Sequence, residues 1–198
     1  NVTGSQSYYG GVVTIPENAN ANIVTRTNAG TLTLSAQTNV SILSKIEIRG
    51  TGGVAIETSQ NSESGNTGTY SFGLSEAGFK GGVTFFDTST QTLTTQDGSL
   101  SDNKKTFTLI STLTELQNTT TSANLAIASD IDANAYYITN IDNSRTNYGN
   151  VMTGTYTGTF AGLGHKISNL TLEKAAYDTG IFKEVSSATV RDLVIDQS

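Results

Sequence analysis

The sequence predicts an all-β solenoid, in which short strands recur along the chain and stack on one another. Two observations lead to this prediction: the composition, and apolar residues that recur in short alternating pairs. The chain has 198 residues, including 20 Gly, 33 Thr and a single Pro, and aromatic residues make up 8%. Threonine is β-branched and favours strands, and long amphipathic helices are nearly absent from the pattern.

Four short alternating pairs between residues 32 and 56 predict four strands. They are Leu32-Thr-Leu34, Val40-Ser-Ile42, Ile46-Glu-Ile48 and Val54-Ala-Ile56. The two apolar residues of each pair would share a buried face, because side chains alternate across a strand. The first and last pairs begin 22 positions apart. Short strands that turn at such intervals fit a β-helix.

A similar period occurs near the end of the sequence. The segment Ile167-Ser-Asn-Leu170-Thr-Leu172 returns as Val190-Arg-Asp-Leu193-Val-Ile195, with each apolar position advanced by 23 residues. Ahead of these copies, Gly158-Thr-Phe160 returns as Gly180-Ile-Phe182 after 22 residues. We therefore expect the copies to occupy equivalent positions in successive coils. A unit of this length cannot bury its inner side chains alone and must stack on its neighbours.

A single helix is expected between two solenoid segments. Thr112-Leu-Thr-Glu115 has the spacing of a capping box, and Leu113 and Leu116 can face the stacked strands. The helix separates an N-terminal β-solenoid segment, residues 1–105, from a second segment, residues 106–198. We expect both to belong to one continuous solenoid cut from a larger protein.

The charge pattern and composition exclude several classes of function. The net charge is -6, and the 11 Lys and Arg residues are scattered, so we predict no nucleic-acid partner. The chain contains no cysteine, which excludes disulfides and thiolate metal sites. No apolar run approaches the roughly 20 residues of a membrane-spanning helix, so we predict no membrane insertion of this segment.

Two polar stretches interrupt the strand pattern and are predicted to be exposed loops. Ser59 to Gly68 contains no apolar residue, and Tyr136 to Gly154 combines Asn, Asp and Gly with scattered tyrosines. Such loops are candidate recognition surfaces, although tyrosines can also fold down to cover a coil edge. The candidate binding residues in the second loop are Tyr136, Tyr137, Asp142 and Tyr148.

Several motifs in the second half of the chain follow one another in a characteristic order. They are Thr106-Phe-Thr-Leu-Ile110, Leu113-Thr-Glu-Leu-Gln117, Asn124 to Asp132, Tyr156 to Leu172, Gly180-Ile-Phe182 and Ala188 to Ile195. This order resembles the GLUG-type region of filamentous haemagglutinin-like bacterial adhesins, over roughly residues 83–198. The stretch from Gly30 to Glu57 is similar to the strand repeats of the same adhesins.

The resemblance implies a right-handed parallel β-helix with protruding loops. It also implies export by a Gram-negative bacterium, through two-partner secretion or as an autotransporter passenger, and display for attachment. The chain departs from the family at Tyr136 to Gly154, where the family often carries an insert rich in Gly and Trp, because this sequence has no Trp. Function is inferred here by analogy.

The carboxylates Asp130, Asp132 and Asp142 are candidates for a chemical site. Paired carboxylates can hydrolyse a glycosidic bond, and calcium needs six or more oxygen ligands. An alternating Asp-Ile-Asp also fits the outer face of a strand. His165 is the only histidine, and we interpret it as a turn residue whose ring satisfies backbone groups. We therefore predict no catalytic residue, no metal site and no cofactor.

Threonine pairs occur at Thr31-Leu-Thr33, Thr92-Leu-Thr94 and Thr106-Phe-Thr108. Solenoids that bind ice or repeating carbohydrate use flat threonine arrays, which must recur on one face of successive coils. The uneven spacing of these pairs argues against such an array. The strand propensity of β-branched residues explains them better.

Four asparagines, Asn1, Asn39, Asn118 and Asn169, fit the Asn-x-Ser/Thr acceptor pattern for glycosylation, and the last three are the candidate sites. The resemblance supports modification, because some of these adhesins receive sugars on such asparagines. In a chain this rich in Asn and Thr, chance also produces several matches. We keep the three as candidate glycosylation sites.

The sequence thus predicts a segment of a secreted or surface-displayed Gram-negative adhesin, associated with virulence, that attaches to host cells, glycans or other surfaces. It is predicted to act as a binding module or a structural spacer and not as an enzyme. The expected partners are a surface glycan or protein of host or bacterium, and an outer-membrane secretion partner of the parent protein. The alternatives are a carbohydrate-active β-helix enzyme, marked by converging carboxylates, and a secreted protein that captures a host ligand.

Overall fold

In the residues that the structure describes, β-strands predominate and are accompanied by one short helix, which confirms the all-β prediction. A computed structural model describes residues 5–17, 23–27, 29–60, 68–98, 103–134, 150–171 and 180–196. Two compact units divide the chain, Asn1–Leu109 and Ile110–Ser198. The predicted boundary between residues 105 and 106 falls inside one strand, Lys104–Ile110.

Thirteen strands begin in the described part of the first unit. They are β1 (Gln6–Gly10), β2 (Val13–Ile15), β3 (Ile23–Arg26), β4 (Leu32–Ala36), β5 (Val40–Ile42), β6 (Lys45–Ile48), β7 (Gly53–Thr58), β8 (Tyr70–Ser71), β9 (Leu74–Ser75), β10 (Gly78–Phe79), β11 (Gly82–Phe85), β12 (Thr92–Asp97) and β13 (Lys104–Ile110). The four strands predicted between residues 32 and 56 are confirmed as β4, β5, β6 and β7.

Parallel pairing links strands that are far apart in the sequence. In the first unit, β1, β4, β7 and β12 pair in that order, and two further sets contain β2, β5, β8 and β3, β6, β11. Leu32 lies beside Val54, as the spacing of 22 positions predicted. The sheets are nevertheless mixed, because β12 pairs with β13 and β9 with β10 in antiparallel fashion.

The core of the first unit consists of apolar residues that stand side by side in neighbouring strands. Leu34 lies beside Ile56, and Ile46 beside Val83, and all four side chains are fully buried. Phe72 packs edge-on against Tyr70 with 5.9 Å between ring centroids. In β5 and β6 the alternation places polar residues outward, so each of these strands has one buried and one more exposed side.

The second unit contains one helix and eight strands in its described residues. The helix α1 spans Leu113–Gln117, and the strands are β14 (Leu125–Ile127), β15 (Ile131–Asp132), β16 (Asn150–Tyr156), β17 (Thr159–Ala161), β18 (Lys166–Ser168), β19 (Gly180–Val185), β20 (Thr189–Arg191) and β21 (Val194–Asp196). β14, β17 and β20 pair in parallel, as do β15, β18 and β21, and β16 pairs with β19.

The helix begins where the capping box predicted. The Glu115 N–H donates to Thr112 Oγ1, and the Thr112 N–H donates to a Glu115 carboxylate oxygen, both over 3.1 Å. Leu113 and Leu116 are buried, so the helix packs one face against the unit. Within the described ranges, no helix is long and apolar enough to cross a membrane.

The register of the C-terminal repeat differs from the prediction. Ile167 pairs with Ile195 and not with Val190, which lies instead beside Phe160. Phe182 pairs with Met152. These paired residues are therefore 28 to 30 positions apart, and the predicted period of 22 to 23 is wrong here.

The error has a physical reason. β18 and β20 each have three residues with one apolar residue in the middle, Ile167 and Val190, so the sequence similarity aligned β18 with β20. The segment between β17 and β18 contains Leu163, which is fully buried at a φ of 53°, and Gly164 at a φ of 83°. Connections can lengthen in this way without altering the pairing of the strands they join.

Candidate binding surface

The first predicted loop, residues 59–68, is described only at its ends. The Gly68 N–H donates to Ser59 Oγ over 2.6 Å, and the Ser59 N–H donates to the Thr38 carbonyl over 3.1 Å. These bonds hold the two ends of the segment together on the first unit. Residues 61–67 lie outside the described residues, so their role in binding remains a prediction.

The second predicted loop, Tyr136 to Gly154, is described only from residue 150. Its four candidate binding residues lie outside the described residues, and their role also remains a prediction; they are Tyr136, Tyr137, Asp142 and Tyr148. The described end of this stretch is not a loop, because residues 150–154 form the first part of β16.

The three candidate glycosylation sites are all exposed. Asn39 Oδ1 accepts a hydrogen bond from the Thr69 N–H over 2.8 Å. Asn169 Nδ2 donates to Asp132 Oδ1 over 2.9 Å, so a sugar on this nitrogen would have to disturb that bond. Asn118 is the C-cap of helix α1. Modification of the three remains a prediction.

Asp130 and Asp132 have different hydrogen-bond partners. Asp130 Oδ1 lies 2.9 Å from His165 Nδ1, a partner that the sequence did not predict, and accepts from the Lys166 N–H over 3.1 Å. The hydrogen bond from Asn169 is the main cause that lowers the pKa of Asp132. Within the described ranges, no group of three or more His, Cys, Asp or Glu side chains could hold a metal ion.

Thr33, Thr94 and Thr106 share one outward column in the first unit, despite their uneven spacing. Thr33 lies beside Ala55, Ala55 beside Thr94, and Thr94 beside Thr106. Threonine pairs that are unevenly spaced in the sequence can therefore share one face, because the connections between the strands differ in length. Ala55 lies between Thr33 and Thr94 and has no hydroxyl group, so these residues do not form a continuous threonine array.

Arg49 and Phe86, both about half exposed, form a cluster with the less exposed Glu47, which we call the Phe86 platform. Pairing of β6 with β11 sets Glu47 beside Thr84, and the Phe86 N–H donates to the Ile48 carbonyl over 3.2 Å. Arg49 Cζ lies 4.0 Å from the centroid of the Phe86 ring, and Arg49 Nε donates to Glu47 Oε2 over 2.8 Å. Phe86 is 51% exposed.

The contacts of Arg49 fix the orientation of its guanidinium. The group lies over an aromatic face, where a cation is attracted, and its Nε is bound to a carboxylate. The Arg49 side chain is 48% exposed, whereas that of Glu47 is 15% exposed. The remaining donors on Nη1 and Nη2 can therefore meet a ligand at the surface with little loss of side-chain freedom.

The turn that follows Phe86 is held by its own side chains. Ser89 Oγ and Thr90 Oγ1 donate to the Asp87 carboxylate over 2.6 and 2.7 Å. These hydrogen bonds, with that of Ser89 the largest cause, lower the pKa of Asp87 to about 2, so it is ionised at neutral pH. Gln91 Nε2 donates to the Ile48 carbonyl over 2.6 Å and thereby ties the turn to the end of β6.

The Phe86 platform was not predicted from the sequence. Arg49 and Phe86 are 37 positions apart, and only the pairing of β6 with β11 brings them together. One signal was present: the adjacent pair Phe85 and Phe86. Neighbouring residues of a strand face opposite sides, so one of two adjacent aromatics must point outward. Phe85 is 3% exposed and fills the core.

The chain matches no family model, and neither curated proteins nor solved structures include a significant match to it.

Proposed function

We propose that the chain is a segment of a Gram-negative surface adhesin, built as a right-handed parallel β-helix, that attaches to glycans through its lateral surface. The observation that carries the proposal is the Phe86 platform: an exposed aromatic ring and an oriented guanidinium on stacked parallel strands. Rigid strands with exposed aromatic and polar groups suit recognition of a surface ligand.

The strand pairing supports the β-helical part of the proposal. In each unit, sets of parallel strands recur with buried residues beside buried residues, such as Leu34 beside Ile56 and Leu125 beside Phe160, as a β-helix requires. Connections between parallel strands of one sheet are almost always right-handed. The antiparallel pairs β9 with β10 and β12 with β13 are then local departures from the helical course.

The motif order between residues 106 and 195 supports the adhesin part of the proposal, because it resembles the GLUG-type region of filamentous haemagglutinin-like adhesins. On this proposal the parent protein is exported with an outer-membrane secretion partner and displayed at the cell surface. A charged content of 14%, against about 25% in an average soluble domain, leaves a surface dominated by hydroxyl and amide groups.

A binding role is favoured over two competing roles. A pure spacer has no need to keep a phenylalanine half exposed beside an oriented arginine. A carbohydrate-active enzyme needs carboxylates that converge on one bond, whereas Asp130 and Asp132 take separate partners, His165 and Asn169. The proposal therefore assigns the chain attachment without catalysis.

Attachment can be measured with fluorescent beads that carry the purified chain. We expect such beads to adhere to cultured epithelial cells in a saturable way, and soluble chain to compete with them. Beads that carry the heat-unfolded chain are the matched control. Adhesion no greater than that of the control, at every coating density and on several cell types, would overturn the proposed function.

A further inference from the structure

We propose that the chain binds a second copy of itself head to tail, through the free edges of four strands. The tail face is the free edge of β20 and β21, and the head face is the free edge of β1 and β2. Each of these strands stands at an end of its sheet, so among the described residues it has a strand neighbour on one side only. The inference goes beyond the proposed function and does not depend on it.

The tail face carries apolar side chains that are half exposed. Val190 lies beside Phe160, which is fully buried, yet Val190 is 44% exposed. Ile195 lies beside the fully buried Ile167 and is 51% exposed. Both side chains share the inward side of their sheet with the buried neighbour. A further strand on this edge would remove their apolar surface from water, which favours association.

The head face has the same character. Tyr8 lies beside the fully buried Leu34 and is 46% exposed. Val13 lies beside the fully buried Val40 in the neighbouring sheet. None of the inward residues named on the two faces is charged, so stacking one face on the other buries no charge at these positions.

The backbone of β20 presents hydrogen-bonding groups to its free edge. The Thr189 N–H donates to the Gly158 carbonyl over 3.1 Å, and the Arg191 carbonyl accepts from the Gly162 N–H over 2.8 Å. Successive residues of a strand turn their N–H and C=O groups to opposite sides. Those of Val190 therefore face away from β17, towards an incoming strand.

The backbone of β1 presents the complementary groups. The Gln6 N–H donates to the Thr31 carbonyl over 3.0 Å, so Gln6, and Tyr8 two positions further on, turn their groups towards β4. The N–H and C=O groups of Ser7 and Tyr9 then face the free edge.

One register satisfies both the hydrogen bonds and the inward side chains. When Val190 lies beside Tyr8 of the second copy, the Val190 N–H can donate to the Ser7 carbonyl and the Tyr9 N–H to the Val190 carbonyl. The same register puts Val190 and Tyr8 in one inward column. The two strands are then parallel, as β17 and β20 are within the chain. The contact between copies thus continues the stacking that the chain already makes.

The second pair of strands fits at the same time. The Val194 N–H donates to a carbonyl of the preceding strand connection over 3.3 Å, and the Val13 N–H donates to the carbonyl directly before β5 over 3.0 Å. The groups of Ile195 and Thr14 therefore face the two free edges. Tyr8 precedes Val13 by five positions, and the residue in register with it on β20 precedes Ile195 by five as well. Ile195 can therefore lie beside Val13 of the second copy.

Sedimentation equilibrium of the purified chain tests the inference. The mean mass should rise with concentration beyond that of a dimer, because a head-to-tail contact leaves a free face on every added copy. Val190→Lys on the tail face and Tyr8→Lys on the head face should each weaken association at least about tenfold, because each places a charge in the contact. Leu74→Lys, at a residue 74% exposed and on neither face, is the matched control and should associate as the unaltered chain does.

A mixture of two variants gives the sharpest result. Val190→Lys keeps its head face and Tyr8→Lys keeps its tail face, so together they should form mixed dimers and nothing longer, although neither associates alone. Ile195→Lys is a second tail variant, for use if Val190→Lys does not fold. Circular dichroism and thermal unfolding show which variants are folded.

Three results would overturn the inference. The first is an unaltered chain that stays monomeric at every concentration. The second is a Tyr8→Lys variant that associates as tightly as the unaltered chain, which would mean a tail-to-tail pair. The third is a mixture of folded variants with no greater mass than its components. Bead adhesion is measured separately, so failure of this inference and failure of the proposed function are distinguishable.

Discussion

Replacement of Gly81 by alanine tests the close stacking of strands in the first unit. Gly81 lies directly before β11, and its N–H donates to the Phe72 carbonyl over 2.9 Å. A Cβ at this position would lie 2.0 Å from the Ile42 carbonyl oxygen and 3.1 Å from the Leu43 nitrogen. Both neighbours are backbone atoms, so the clash cannot be relieved by rotating a side chain.

The expected cost follows from that geometry. To reach an ordinary contact distance the two backbone segments must separate by about 1 Å, and overpacking of this kind costs about 1 to 3 kcal/mol. The same shift weakens the hydrogen bond to Phe72, which contributes about 1 kcal/mol. We therefore expect Gly81→Ala to lower the free energy of unfolding by about 2 to 4 kcal/mol.

Urea unfolding followed by circular dichroism measures this loss. With a denaturant slope of about 1 to 3 kcal/mol/M, the midpoint should fall by roughly 0.7 to 4 M. Gly11→Ala is the matched control, because an added Cβ there meets only Gln37 Oε1 at 3.9 Å, and it should change stability by less than about 0.5 kcal/mol. Equal midpoints for the two variants would refute the stacking of Gly81 on Ile42.

Three further predictions concern the N-cap Thr112, the ionised carboxylate of Asp87 and the hydrogen bond that the Gln91 side chain donates to the Ile48 carbonyl. Thr112→Ala removes the side-chain acceptor of the Glu115 N–H and should cost about 1 kcal/mol in thermal unfolding, with Thr112→Ser as the control that keeps it. The pKa of Asp87 falls from 3.8 to about 2 on folding. Its carboxylate therefore stabilises the folded chain above about pH 4, and this contribution is lost as the pH falls towards 2; Asp87→Asn should remove that part of the pH dependence of unfolding. Gln91→Ala leaves the Ile48 carbonyl without this donor and should cost about 1 to 3 kcal/mol in urea unfolding.

Each of these predictions has an outcome that contradicts it. Unchanged melting of Thr112→Ala relative to Thr112→Ser would mean that the capping box does not stabilise α1. A carboxyl pKa near 3.8 for Asp87, read from its NMR titration, would show that Ser89 and Thr90 do not hold it. A stability for Gln91→Ala equal to that of the unaltered chain would mean that the hydrogen bond from Gln91 to the Ile48 carbonyl does not stabilise the fold.

Local structure could be predicted from the sequence where a single segment carries the whole signal. β4 to β7 follow from four alternating pairs, and α1 follows from Thr112 and Glu115 at capping-box spacing. In both cases the decisive contacts lie within a few residues of each other. Short-range periodicity and capping chemistry are sufficient there.

Register could not be predicted in the second unit, because it depends on the lengths of the connections. β17 and β18 are separated by residues 162–165, whereas β20 and β21 are separated only by residues 192 and 193. The apolar residues around β18 and β20 have the same spacing, so these two strands resembled copies of one repeat, whereas β18 pairs with β21. The buried Leu163 shows that such a connection can contribute to the core as well.

The Phe86 platform could not be predicted for a related reason. Glu47 lies in β6, and Arg49 and Phe86 directly follow β6 and β11, whose connection contains β7, β8 and the β9–β10 pair. The sequence indicated that one of Phe85 and Phe86 faces outward, but it did not indicate which strand lies alongside. A binding surface on stacked strands is thus defined by register, which local patterns do not contain.

The pairing of β6 with β11 is the central claim, because both the core of the first unit and the Phe86 platform depend on it. Nuclear Overhauser effects between methyl groups of Ile46 and Val83, and between the Arg49 δ-protons and the Phe86 ring, test it most directly. Cross-peaks for both pairs are expected from the parallel register. Their absence, with Phe86 ring contacts to a different strand, would contradict the register and the platform together.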